Sequence, residues 1–88
     1  MVMPIRYTPR FKRAFAKLTR EEKDIAVQKL ELFAENQRHP SLHSREIKGS
    51  NDVWESRISK DIRFTWQYCD GGVRLRVMGH HDEALKTL

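Results

Sequence analysis

The sequence has little of what crosslinks, membrane anchors or metal sites require. Cys69 is its one cysteine, so the chain forms no intramolecular disulfide and builds no cysteine-based zinc site. Its apolar runs fall far short of the roughly 20 residues that span a membrane, and the first ten residues lack the apolar core of a signal peptide. Repeats, low-complexity segments and linkers are also absent. We therefore expect a cytoplasmic protein that does not involve a membrane.

The length and charge of the chain restrict its partners. Its 88 residues suffice for one domain, residues 1–88, whose core folds alone but is too small to enclose a deep pocket. Any substrate is therefore expected in a surface groove. Seventeen lysines and arginines against twelve acidic residues give a net charge of +5 and an isoelectric point near 9.7, which favours a polyanion or an acidic protein as partner. Charge alone does not identify nucleic acid, because many small domains are basic.

Three runs between residues 53 and 81 alternate apolar and polar side chains, which is typical of half-buried strands. On one parity lie Trp54, Ser56, Ile58, Ile62, Phe64, Trp66, Tyr68, Val73, Leu75 and Val77. On the other lie Glu55, Arg57, Arg63, Thr65, Gln67, Arg74, Arg76 and Met78. Asp70-Gly71-Gly72 is a tight-turn signal, because glycine tolerates positive φ. We expect an antiparallel β meander with one core face and one polar, cationic face.

The residues ahead of the meander predict a strand and two helices. Met3 to Tyr7 is a short apolar segment suited to an edge or central strand, and Thr8-Pro9 is a helix start with proline at the first helical position. Thr19 to Glu22 forms a capping box, so a second helix begins there and runs to about Asn36. Its predicted buried residues are Ile25, Ala26, Leu30 and Phe33, with part of Leu32. A further strand is expected over residues 45–48, and the helical hairpin covers the apolar face of the sheet, which gives an α+β fold.

Three motifs follow one another after Lys48-Gly49. They are Trp54-Glu55-Ser56-Arg57-Ile58, Ile62-Arg63-Phe64-Thr65-Trp66 and Gly79-His80-His81-Asp82-Glu83. In this order and spacing they resemble the RelE/ParE superfamily of toxin-antitoxin toxins, and the resemblance extends from Ile5 to Leu85. It implies a compact toxin that is neutralised by an antitoxin wrapped around it. Such a toxin either cleaves mRNA, often on the ribosome, or, in the ParE branch, inhibits DNA gyrase.

The ribonuclease branch fits these residues better than the ParE branch. The resemblance places an arginine in the third strand, a second in the fourth and a histidine just after the last strand, which correspond to Arg57, Arg63 and His81. Many ribosome-associated members carry an aromatic residue a few positions after that histidine, whereas this chain has no aromatic residue beyond Tyr68. Two rival functions therefore stand beside mRNA cleavage. One is a ParE-like gyrase inhibitor without nuclease activity, and the other is a module that binds an antitoxin and has lost catalysis.

The chemistry of RNA cleavage suits the same residues without a metal or another cofactor. The reaction needs a base for the 2′-hydroxyl proton, cationic donors for the charge on the phosphate and an acid for the leaving oxygen. Arginine offers two donors to two phosphate oxygens, as Arg57 and Arg63 would, and histidine titrates near neutrality, which suits the acid role of His81. Glu55 shares the parity of Arg57 and is a candidate base. The competing candidates are His80, which alternation places with Arg74 and Arg76, and the loop histidines His39 and His43.

Each of these residues also has a purely structural interpretation. Arg57 and Arg63 could pair with Glu55 on a solvated face, and His81 could be a turn residue that strict alternation aims at the core side. Trp54 and Trp66 share the apolar parity, which favours packing in the core over stacking on RNA bases. The remaining cations are a solvated surface or contacts to an RNA backbone. They are Arg10, Lys12, Arg13, Lys17, Lys48, Arg74 and Arg76.

Overall fold

A computed structural model gives the fold of residues 3–80, which are the residues described below. Its elements are β1 (Ile5–Tyr7), α1 (Pro9–Ala16), α2 (Arg20–Glu35), a 3-10 turn (Pro40–Leu42), β2 (Arg45–Glu46), β3 (Trp54–Arg57), β4 (Ile62–Cys69) and β5 (Gly72–His80). The strands form a five-stranded sheet in the order β1-β5-β4-β3-β2. β1 is parallel to β5 and all other pairs are antiparallel. The predicted α+β fold is confirmed, with the N-terminal strand at the sheet edge.

Both helices begin where their capping residues predict. Thr8 accepts the backbone N–H of Phe11 at 3.2 Å and Pro9 opens α1. At the start of α2, Thr19 accepts the N–H of Glu22 at 3.2 Å, and the Glu22 carboxylate accepts the N–H of Thr19 at 2.8 Å. The capping box is therefore complete, and two N–H groups that a helix start leaves without partners are satisfied.

The core lies between the two helices and one face of the sheet. Phe33 of α2 contacts Phe64 and Trp66 of β4 edge-on, with ring centroids 5.2 and 4.9 Å apart. Phe11 of α1 meets Phe64 at 6.2 Å in the same way. Ala26, Leu30 and Phe33 are buried as predicted, but Ile25 is 42% exposed, so its predicted burial is wrong. Ala26, Leu30 and Phe33 follow one another at i, i+4 and i+7, and Ile25 lies about 100° away from Ala26 around the helix axis.

A chain of hydroxyl groups explains why Ser56 occupies a core position. Trp66 Nε1 donates to Ser56 Oγ at 2.8 Å, Ser56 and Ser44 share a hydrogen bond of 2.6 Å, and Ser44 Oγ donates to the Gln37 carbonyl at 2.6 Å. The buried indole N–H thus has a partner, as a buried tryptophan requires. Trp66 is fully buried, and half-buried Trp54 stacks on it with centroids 5.4 Å apart. The predicted core position of Trp66 is confirmed.

A β-bulge changes the parity of β5. Thr65 lies opposite Val77, whereas Trp66 lies opposite Leu75, so Arg76 is an extra residue in β5. Alternation from Leu75 and from Met78, which both belong to the core, places Arg76 and Val77 together on the helix-free face. Alternation of the sequence predicts Val77 on the helix side and Met78 on the polar face, and the register reverses both faces. Val77 is nevertheless buried, at 8% exposure, as its apolar side chain predicts. Alternation fails here because the extra residue shifts the parity of β5 by one position.

The turn between β4 and β5 is the one that its sequence indicates. Asp70 and Gly71 both have positive φ, at 45° and 77°, as the two central residues of a type I′ hairpin turn require. Gly72 allows Pro4 to approach, because an added Cβ would overlap the Pro4 carbonyl oxygen. That carbonyl accepts the N–H of Val73 at 3.0 Å, which connects the segment before β1 to β5. Within residues 3–80, no helix is both long enough and apolar enough to cross a membrane.

Candidate functional site

The side of the sheet that carries no helix is dominated by arginine. We call it the arginine face, and its six arginines are Arg6, Arg45, Arg57, Arg63, Arg74 and Arg76. They lie in rows across the strands. One row runs from Arg45 through Glu55 and Thr65 to Val77, with the bulge residue Arg76 next to Val77, and the next row contains Arg57, Arg63 and Gly79. The predicted cationic face is thus confirmed, with Arg45 and Arg6 added to it.

Glu55 is the buried carboxylate at the centre of this face. The residue is 1% exposed. Its Oε1 accepts Arg63 Nη1 at 3.2 Å and Arg45 Nη2 at 3.4 Å. The Arg63 side chain is 12% exposed and that of Arg45 is 63% exposed, so Arg63 is the inner partner. The predicted pairing of Glu55 with an arginine therefore exists, but it is buried and not on a solvated surface.

Four buried polar atoms on the arginine face have no hydrogen-bond partner among residues 3–80. They are Glu55 Oε2, Arg63 Nε, Thr65 Oγ1 and Arg76 Nη1. Buried polar atoms are nearly always paired in folded proteins, by protein groups, by water or by a ligand. Three of the four belong to side chains that can donate, and they lie in two adjacent rows. The arrangement is therefore suited to an oxyanion with several acceptor oxygens.

Arg57 and Arg63 lie directly opposite each other on β3 and β4. Like charges at opposed positions of a sheet are unfavourable unless something neutralises them. Glu55 neutralises Arg63. Within residues 3–80, half-buried Arg57 has neither a hydrogen bond nor an ion pair through its guanidinium, so its charge is available to an anion.

The other end of the arginine face differs, because its arginines already have partners. Arg74 Nη2 donates to Gln67 Oε1 at 2.8 Å, and Arg6 Nη1 lies 3.6 Å from Asp70 Oδ2 with both side chains exposed. Exposed pairs of this kind contribute little to stability. The available donors are therefore concentrated at Arg57, Arg63 and Arg76.

The predicted histidines lie apart from this concentration. His80 is opposite Ile62, a core residue, and lines a small cleft with Glu22 and Ile25 of α2. It is therefore on the helix side of the sheet, and its predicted place beside Arg74 and Arg76 is wrong because of the bulge. His81 lies outside the described residues.

The loop histidines and the remaining cations occupy other surfaces. His39 Nδ1 accepts the N–H of Ser41 at 3.2 Å, and His43 ends the 3-10 turn with a φ of 48°. Lys48 is exposed in the turn after β2. The predicted cations of the first helix lie on α1 and its C-cap, on the helix side of the sheet, and these are Arg10, Lys12, Arg13 and Lys17. Residues 3–80 contain no cluster of three or more histidine, cysteine or acidic side chains suited to holding a metal ion.

Sequence reasoning missed Arg45 and Thr65 as members of the site. Arg45 faces Glu55 because β2 pairs with β3, a contact that no local pattern reveals. Thr65 has the parity of the arginines, but alternation gives no sign that it is only 1% exposed. The adjacent apolar residues Val77 and Met78 interrupt the alternation and are the one trace of the bulge in the sequence.

Comparisons with known proteins identify the fold. No family model matches the chain, and no curated protein matches it in sequence. Solved structures do match. A copper-bound mutant toxin from Helicobacter pylori superposes with a TM-score of 0.74 at 20% identity, over 92% of this chain and 97% of the toxin. The chain matched in an archaeal RelE-RelB complex from Pyrococcus horikoshii superposes with a TM-score of 0.75 at 11% identity, over 96% of this chain and 100% of that one.

A third match comes from a toxin-antitoxin complex of Escherichia coli. The chain matched in the DinJ-YafQ complex superposes with a TM-score of 0.71 at 16% identity, over 94% of this chain and 97% of that one. In each comparison, the match therefore extends over nearly the full length of this chain and of the chain it is compared with. Identities this low establish the fold, and the resemblance drawn from the three motifs is confirmed at that level. The chain has the fold of the RelE-like toxins of toxin-antitoxin systems.

Proposed function

We propose that the chain is the toxin of a toxin-antitoxin pair and acts in the cytoplasm as a metal-independent endoribonuclease that cleaves mRNA. The observation that carries the proposal is the concentration of uncommitted arginine donors around a buried carboxylate on the helix-free face of the sheet. The fold supports it, because the matched structures include a RelE-RelB and a DinJ-YafQ complex. A cognate antitoxin is therefore the proposed protein partner, and mRNA, free or on the ribosome, is the proposed substrate.

Three arginines are suited to the charge that develops at the phosphate during cleavage. Arg57 and Arg63 are paired on adjacent strands, and the bulge puts Arg76 on the same face, next to Val77, which is the partner of Thr65. A pentacoordinate phosphate carries additional negative charge, and donors already fixed in place stabilise it more than water does. The same charge would relieve the repulsion between Arg57 and Arg63.

Glu55 is better suited to positioning Arg63 than to accepting a proton from substrate. Its carboxylate is buried, and Oε1 already accepts from two arginines. With Nη1 held by Glu55, Arg63 keeps its guanidinium in one orientation and leaves Nε for a ligand. His81 is the proposed general acid, and the general base is not assigned among residues 3–80.

Expression of the chain without an antitoxin should stop growth and produce new mRNA 5′ ends within coding regions. The reason is that cleavage at the arginine face would act on transcripts directly. Transcriptome-wide mapping of 5′ ends after induction measures this. Intact transcripts together with gyrase-linked DNA breaks would instead support the ParE-like inhibitor, and continued growth with intact transcripts and intact DNA would support the module that has lost catalysis.

Arg76→Gln should slow RNA cleavage by the purified chain on the order of 10²-fold, the usual effect of removing one donor to a developing oxyanion. Arg74→Gln is the matched control, since it removes the same charge two residues away on the same strand and face. Arg74 is already bonded to Gln67, so its loss should leave the rate near that of the wild type. Equal losses in the two variants would show that Arg76 acts only as a general screening charge.

His81→Gln should reduce cleavage by about 10²-fold or more while leaving RNA affinity nearly intact, because proton transfer contributes mainly in the transition state. His80→Gln should have the smaller effect, since His80 lies on the helix side of the sheet. Single-turnover rates and RNA affinities of both variants separate the roles. A catalytic loss confined to His80→Gln would reverse the assignment.

A further inference from the structure

A groove of about 540 Å³ lies between α1 and the last residues of β5. Its helix side carries Arg10, Arg13 and Lys17, and its sheet side runs from Val77 to His80. The groove is distinct from the arginine face, but the two share the edge of β5.

The edge of β5 along this groove is open. β1 pairs with β5 from Val73 to Leu75. Thr8 then closes the pairing, with its N–H 3.3 Å from the Leu75 carbonyl and its Oγ1 donating to the Arg76 carbonyl at 2.8 Å. Beyond Arg76, no other element within residues 3–80 pairs with this side of the strand. A ligand can therefore pass from one face of the sheet to the other across this edge.

The helix side of the groove is cationic and largely uncompensated. Arg10, Arg13 and Lys17 are exposed and follow one another over about 10 Å of helix. None of the ion pairs formed within residues 3–80 involves them. The acidic residue in the lining is Glu22, whose Oε1 accepts the N–H of Thr19 in the capping box. The net charge of the groove is therefore positive.

The groove is continuous with the arginine face at Gly79. This residue lies opposite Arg63 and carries no side chain, and it also lines the groove. Val77, its neighbour on the same face, lies opposite Thr65 and lines the groove as well. A polyanionic backbone that extends from Arg63 across the edge of the sheet would meet no side chain at Gly79 and would then reach the cations of α1.

We propose that this groove is the path of the RNA strand beyond the cleavage site. A single-stranded backbone with its scissile phosphate at Arg57, Arg63 and Arg76 crosses the β5 edge at Gly79 and continues along α1, where Arg10, Arg13 and Lys17 bind further phosphates. This inference rests on the proposed nuclease function. Of the four cations predicted to bind RNA on the first helix, the proposal excludes Lys12, because Lys12 lines a different, apolar groove with Ile5 and Phe15.

The test measures the salt dependence of RNA binding by the full chain. The probe is a short single-stranded RNA that is 2′-O-methylated, so that the attacking hydroxyl is blocked and binding is measured without cleavage. Arg13→Gln/Lys17→Gln should lower the slope of log affinity against log salt by about 1.4, which is two phosphate contacts at roughly 0.7 each on a single strand. Lys12→Gln/Lys29→Gln is the matched control, since it removes the same charge from helix positions outside the groove and should keep the wild-type slope.

Three outcomes overturn the path along α1. The slope could fall equally in both double variants, which would mean a general effect of net charge. It could stay unchanged in Arg13→Gln/Lys17→Gln, as expected if the open edge instead pairs with a peptide strand through backbone hydrogen bonds. The wild-type chain could also fail to bind the probe at all. Thermal unfolding of each variant confirms that the fold is kept.

Cleavage of the unmodified RNA, measured in parallel, separates this inference from the proposed function. If the variants show the expected difference in slope but the wild-type chain leaves RNA uncut, the proposed RNA path is supported and the proposed nuclease function is rejected. If the wild-type chain cuts RNA but Arg13→Gln/Lys17→Gln keeps the wild-type slope, the proposed RNA path is rejected and the proposed nuclease function is supported.

Discussion

The ion pair between Glu55 and Arg63 is the interaction on which the arginine face depends. A carboxylate that is 1% exposed on the uncovered side of a sheet would be costly without a cationic partner. Arg63 Nη1 at 3.2 Å supplies that partner, and Arg45 reaches the same oxygen from the exposed side. Removing one member of a buried pair typically costs about 3–5 kcal/mol, because the other charge is left without compensation. Glu55 and Arg63 are therefore fixed together, and the orientation of Arg63 follows from that constraint.

The same pair explains how one thin sheet has two different surfaces. On the helix side, aromatic rings pack against one another. The chain of hydrogen bonds from Trp66 to Gln37 satisfies the indole N–H and the two serine hydroxyls. On the arginine face, one carboxylate is surrounded by an excess of cations, and four buried polar atoms are left without a partner in the described part of the chain. An imbalance of this kind is more typical of a binding site than of a core. An anion at Arg57, Arg63 and Arg76 would complete the arrangement.

Local signals in the sequence predicted the elements, while tertiary register decided the site. Caps at Thr8 and Thr19 and the turn at Asp70-Gly71 act within a few residues, so the sequence predicts them directly. The bulge at Arg76 depends on how β4 and β5 align, and it reverses the face of every later residue in β5. This is why alternation assigned His80, Val77 and Met78 to the wrong sides. Ile25 failed for a related reason, since neighbouring apolar residues on a helix leave its rotation undecided.

A double-mutant cycle of Glu55→Gln and Arg63→Met, measured as free energies of unfolding, tests the account most directly. If the two side chains form one buried pair, each single variant should be strongly destabilised and the double variant should be less destabilised than the sum. The expected coupling is on the order of 1–3 kcal/mol, the range for residues in direct contact. Additivity within about 0.5 kcal/mol would contradict the account, because it would mean that Glu55 does not fix Arg63 and that the arginine face is not organised around it.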